Sequence, residues 1–193
     1  MKKSLKVLAL LAGTVFASAS ANAVVLPSST GPLLTDTSFS STFNSTSSSS
    51  TITFDLLGYA SLDGDNFYQD NFHLSLNGTE IFSGTFSLGG GGGNVIFTNL
   101  ASLVVSGLRP DVVDFAGGDL TFSGFMNTLV GSNTLLFSYD SLVEGHAGFQ
   151  GLGDEGWGVN NLNVSSVPVP PAAFLLGTGL IGLASLRRKA KKA

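Results

Sequence analysis

Phe72-His73-Leu74-Ser75-Leu76-Asn77-Gly78-Thr79-Glu80-Ile81-Phe82 is the stretch that decides the fold. Two alternating apolar and polar runs flank Asn-Gly. A type I′ turn needs positive φ at both central residues, which Asn and Gly tolerate best. The stretch reads as a β-hairpin with a two-residue loop, in which Leu74 faces Ile81 and His73 lies opposite Phe82 on the other face. Upstream, Thr51-Ile52-Thr53-Phe54-Asp55-Leu56 alternates in the same way and places Ile52, Phe54 and Leu56 on one face of a strand. Between Thr37 and Thr51 every residue except Phe39, Phe43 and Asn44 is Ser or Thr. The two phenylalanines with alternating neighbours predict an early strand, followed by a loop at Ser47–Ser50. Further strands are predicted at 94–98, 102–105, 120–126, 134–139 and 158–164. Short apolar runs at frequent intervals, separated by turn residues and without a long 3.6-residue period, define an all-β sandwich or barrel.

Working outward, the ends have a different composition. The chain has 193 residues, 9 Lys+Arg, 13 Asp+Glu and no cysteine, so no disulfide framework exists. Eight of the nine bases are Lys2, Lys3, Lys6, Arg187, Arg188, Lys189, Lys191 and Lys192. The middle therefore sets 13 acids against Arg109 alone, a formal charge of about −12. That balance excludes nucleic acid as a partner, because phosphate neutralisation needs a basic face.

Lys2, Lys3 and Lys6 precede the apolar run Val7–Ala12 and a small-residue stretch ending Ala21-Asn22-Ala23. A basic n-region, a short apolar h-region and an A-x-A site are the parts of a secretory signal peptide, expected over residues 1–23. Cleavage is expected after Ala23, with Ala21 at the other small-residue position, and the Sec export machinery is the implied partner. At the other end, Val167-Pro168-Val169-Pro170-Pro171 leads into an apolar run over 172–186 and a basic tail over 187–193. The prolines keep the motif extended and accessible. The 15 apolar residues make a helix of about 22 Å, short of the roughly 30 Å hydrocarbon core. The basic cluster should remain cytoplasmic, leaving the acidic middle across the inner membrane. Gly177, Gly179 and Gly182 match a dinucleotide fingerprint only by letter, since no strand precedes them. They read instead as small residues that let helices approach in lipid.

This tripartite tail resembles the PEP-CTERM sorting signal of Gram-negative bacteria, over residues 167–193. Val167, Pro168 and Pro170 match the motif, with Val169 where the family's namesake has Glu, and Arg187 and Arg188 match the stop. The resemblance implies recognition by an exosortase, transient residence in the inner membrane, cleavage near the prolines and delivery to the surface or outside, often in exopolysaccharide-producing, biofilm-forming species. Residues 24–166 are then expected to fold as a single β-sandwich domain. Its last segment, Gly153 to Val164, is similar to the closing strand of jelly-roll domains in surface proteins of this sorting class, with Val159, Leu162 and Val164 at the apolar places. The expected fold is a jelly-roll-like β-sandwich flanked by a signal peptide and a sorting helix.

Chemistry concentrates in Asp63-Gly64-Asp65-Asn66-Phe67-Tyr68-Gln69-Asp70-Asn71. Carboxylates and carbonyls on a loop suit Ca²⁺, and Asp63, Asp65 and Asp70 are the expected ligands. Phe67 at the fifth position excludes an EF-hand. Asp154 and Glu155 could form a second Ca²⁺ site but read rather as capping the final strand. Gly89–Gly93, with no Lys-Ser/Thr successor, reads as a mobile loop rather than a phosphate cradle. Tyr68 and Trp157 are the expected ligand-stacking aromatics. His73 and His146 are the only histidines, no nucleophile motif is present, and no catalytic residue is assigned. The expected function is structural or adhesive, at the cell surface or in an exopolysaccharide matrix, and not enzymatic. The alternatives are a Ca²⁺-assisted carbohydrate-binding module and a small glycan-active hydrolase.

Overall fold

A computed structural model describes residues 23–25, 29–141, 151–168 and 180–181. Ala21–Pro168 form one compact unit. The strands are β1 (Ala23–Val25), β2 (Ser29–Leu33), β3 (Thr37–Ser45), β4 (Ser49–Ala60), β5 (Asp70–Leu76) and β6 (Thr79–Thr85). They continue with β7 (Val95–Asn99), β8 (Val104–Ser106), β9 (Gly118–Asn127), β10 (Gly131–Ser141) and β11 (Glu155–Ser166). One sheet runs β1-β11-β4-β9-β8, with β2 also pairing β11, and the other runs β3-β10-β5-β6-β7. Neighbouring strands are antiparallel throughout. The protein is therefore an all-β sandwich. The expected signal peptide and sorting helix lie outside the described residues, apart from Ala23, which begins β1, and Leu180–Ile181, which are helical. Among the described residues no helix is long and apolar enough to cross a membrane.

Alternation on β4 puts Ile52, Phe54 and Leu56 in the core, each essentially without solvent contact. Phe54 opposes Phe122 on β9, and their rings stack with centroids 4.6 Å apart. From the facing sheet Phe137 meets Phe54 edge-on at 5.4 Å, and Phe82 meets Phe122 edge-on at 5.2 Å. These offset and perpendicular contacts suit the ring quadrupoles. Each fully buried phenylalanine contributes roughly 1.5–3 kcal/mol of transfer free energy.

The hairpin forms with Asn77 at φ 52° and Gly78 at φ 80°, as the turn requires. Its register departs from expectation beyond Ser75. A bulge at Ile81 makes Leu74 face Phe82, and His73 then faces Ser83. The extra residue turns Phe82 inward, fully buried, while Ile81 stays half-buried at the rim. A second irregularity explains Val159, Leu162 and Val164, whose three-residue first step violates a period of two. Pairing slips between Asn160 and Asn163, Asn161 adopts φ 52°, and Leu162 regains the core face.

Two buried polar groups lie at opposite ends of the β4–β11 pair, where Ser50 opposes Ser166 at one end and Ala60 opposes Glu155 at the other. At the first end, the Ser45 hydroxyl lies 3.0 Å from those of both Ser50 and Ser166 and donates to the Ser47 carbonyl at 2.7 Å. Thr128 joins it, donating to the same carbonyl at 2.9 Å. The chain enters at Ala23, paired with Ser165, and leaves at Val167, whose N–H donates to the Ser49 carbonyl. The other end carries the acids.

Candidate functional site

Three segments meet at the acidic end. The loop after β4 carries Asp63 through Tyr68, the glycine run 89–93 lies across it, and β11 begins at Glu155. The Asp63 N–H donates to Asp70 Oδ2 at 2.8 Å and the Asp70 N–H returns to the Asp63 carbonyl at 3.0 Å, so the loop is clasped at its base. Inside it, Asn66 Nδ2 donates to Asp63 Oδ1 at 2.8 Å and the Tyr68 N–H donates to Asn66 Oδ1 at 2.6 Å. The Ser61 N–H donates to the Asp154 carbonyl at 2.9 Å and fastens this loop to the start of β11.

The result is that Asp63, Asp70 and Glu155 each present a carboxylate oxygen within 4.8 Å of the others. All three are buried, with exposures of 7%, 0% and 4%. The Ser141 hydroxyl lies against Asp70 Oδ1 and also 3.2 Å from Glu155 Oε2, and Thr35 reaches the latter at 3.4 Å. Arg109, the one Lys or Arg between the two basic ends, instead bonds the Gly117 carbonyl and pairs with Asp114. Burial therefore raises all three acids: Asp63 to about 6, Glu155 to about 7 and Asp70 to about 8. Neighbouring carboxylates add to each rise, while the hydrogen bonds from Asn66 and Ser141 oppose it.

Above the cluster opens a cleft of about 410 Å³ lined by Asn66, Phe67, Tyr68, Val113, Phe115 and Glu155, among others. Phe67, Tyr68 and Phe115 are 53%, 51% and 61% exposed, and the Phe67 and Tyr68 rings meet edge-on.

The structure thus brings together two of the three expected ligands. Asp65 is exposed, its backbone pairs with Gly93, and its carboxyl stands apart from the three. Glu155, expected as a strand cap, takes its place. Trp157 is not a stacking surface for a ligand: it is fully buried, packs on Phe39 and Tyr139, and donates from Nε1 to the Leu34 carbonyl at 2.8 Å. Tyr68 does line the cleft. The glycine run is a built part of the site, corrected from a mobile loop. Gly89 (φ 104°) packs so closely that a Cβ would stand 2.0 Å from the Ala60 carbonyl oxygen, and one on Gly90 would lie 2.5 Å from the Asp63 carboxyl.

His73 lies on the outer face of the second sheet between Glu80 and Asp140, at 2.7 and 2.9 Å. The Asp140 hydrogen bond, with that of Glu80, raises it to about 9 against the opposing effect of burial. It is a charged structural clamp. His146 lies outside the described residues, as does the sorting motif beyond Pro168, whereas Ala23, after which signal cleavage is expected, is the first residue of β1. Comparison with protein-family models, curated proteins and solved structures finds no match to this chain.

Proposed function

We propose that this is an exported protein of a Gram-negative cell surface or exopolysaccharide matrix, with a structural or adhesive role and sorted by an exosortase. The observation that carries the reading is the order of its parts: a signal-peptide pattern over residues 1–23, one acidic cysteine-free domain, then the Val167-Pro168-Val169-Pro170 tail with Arg187 and Arg188. The strand orders support a jelly roll for that domain. The series β2-β11-β4-β9 and β3-β10-β5-β6 alternate between sheets as two interleaved Greek keys do. Such sandwiches carry binding loops at their ends, away from the rigid sheets.

Cell fractionation with intact-mass analysis tests the reading. The mature species should lack residues 1–23 and 172–193 and be found at the surface or in the medium. A full-length species retained in the inner membrane would overturn it.

A second reading is favoured by the exposed Phe67, Tyr68 and Phe115 above the carboxylates: a carbohydrate-binding module that stacks sugar faces on these rings. Glycan-array binding that is lost in Tyr68→Ala would select it over a purely structural role. Turnover of a polysaccharide, abolished by one carboxylate change, would instead select the glycan-active hydrolase.

A further inference from the structure

We propose that Asp63, Asp70 and Glu155 form a binding site for one hard divalent cation, with Ca²⁺ the best fit, at the base of the cleft and joining the 61–70 loop to the start of β11. The inference is independent of the surface and adhesive reading, and it differs from a site on the loop alone because one ligand comes from the last strand.

Four observations carry it. The first is reach. Ca²⁺ binds oxygen at about 2.3–2.6 Å, so two of its ligands stand at most about 5 Å apart. Three carboxylate oxygens already lie within 4.8 Å of one another. Mg²⁺, at about 2.0–2.1 Å, allows only about 4.2 Å. The second is charge: three buried acids converge, among the described residues no Lys, Arg or His forms an ion pair with them, and buried charges are paired or coordinate metal.

The third observation is independent of the acids. The Tyr139 hydroxyl is fully buried and makes no hydrogen bond among the described residues. Its ring is held against Phe72 and Trp157 at 6.0 and 5.8 Å, and β10 places it two residues before Ser141, on the inward face that leads to Asp70 and Glu155. The phenol senses the charges of Asp70, Asp63, Asp140 and Glu155. A buried phenol finds a partner in nearly all folded proteins. A water carried by a cation in the cluster supplies that partner. The fourth is access, since at Gly90 a Cβ would fill the space beside the Asp63 carboxyl.

The test uses the full-length chain stripped with chelator and titrated with CaCl₂ by calorimetry. One Ca²⁺ should bind per chain. Asp70→Asn and Glu155→Gln should each weaken binding by at least about tenfold, and Asp65→Asn by less than about twofold. Terbium luminescence of the unaltered chain, excited through Tyr139 and Trp157 and quenched by added Ca²⁺, covers the case in which a variant fails to fold. Absence of both Ca²⁺ heat and sensitised emission overturns the proposal. So does binding that is lost in Asp65→Asn and kept in Asp70→Asn and Glu155→Gln.

Discussion

The two ends of the sandwich solve the same problem with opposite materials. Both bury polar side chains between the sheets. At the entry end these are hydroxyls, and Ser45, Ser50, Thr128 and Ser166 bond one another and the Ser47 carbonyl. Hydroxyls both donate and accept, so the group closes on itself without charge. At the cleft end the side chains are carboxylates, which when ionised only accept, and the nearby donors among the described residues, the Ser141 and Thr35 hydroxyls, the Asn66 amide and the Asp63 N–H, are too few for six oxygens. A self-satisfied cluster is a structural plug, whereas an under-satisfied one of a single sign takes protons or a cation. The difference between the ends is therefore one between fixed and conditional stability.

Paired glycine substitutions give the largest expected contrast. Gly89→Ala should destabilise by more than about 3 kcal/mol, because φ 104° and a carbonyl 2.0 Å from the new Cβ leave no room to relax. Gly131→Ala, in the strand that pairs with Ser45, has φ 103° but open space around it and should cost only about 1–2 kcal/mol. Equal losses in urea unfolding would contradict the close packing of the glycine run.

Ser45→Ala should cost about 1–3 kcal/mol, because it strands several hydroxyl partners, and the loss should be the same at pH 5 and pH 8. A pH-dependent loss would mean that the two ends are coupled. Asp70→Asn should behave in the opposite way. The folded Asp70 holds its proton up to about pH 8 and the unfolded one releases it near 3.8. The folded state thus binds more protons across that window, and stability falls as pH rises through it. In chelator, Asp70→Asn should be the more stable protein at pH 9 and indistinguishable from the parent at pH 3; a parent that gains stability between pH 4 and pH 8 would reverse the assignment.

The smallest effect is expected at His73. Its raised value gives stability that is complete below about 6.5 and lost as pH rises through about 9. His73→Gln should cost no more than about 1 kcal/mol at pH 6, after allowance for solvent, and nothing at pH 10. Thermal melts at the two pH values separate this clamp from the carboxylate end.

Local alternation made most strands legible. Thr51–Leu56, the Asn77-Gly78 turn and the five later runs all fall within or against observed strands. What escaped has particular causes. β1 and β2 are short, and β2 contains Gly31 and Pro32, which carry no strand signal. The Ile81 bulge escaped because a one-residue insertion leaves alternation intact on either side. The Asp63–Asp70 half of the site was readable as a dense run of acids and amides. Glu155 was not, because it joins them only through the pairing of β11 with β4, some ninety residues apart in the chain. Trp157 looked like a ligand platform for want of any local mark of burial; its neighbours Gly156 and Gly158 give no alternating contrast.

The chain enters at Ala23 and leaves at Val167 on the same side, beside the hydroxyl plug. From there β4 runs the full height of the domain, 12 residues or about 40 Å at roughly 3.3 Å each. Whatever grips the polypeptide by either end thus holds it like a torch by its handle, with the aromatic mouth at the far tip. On the proposed sorting and binding roles, the segments at Ala23 and Val167 and the cleft never share a face, so a change to one should leave the other intact.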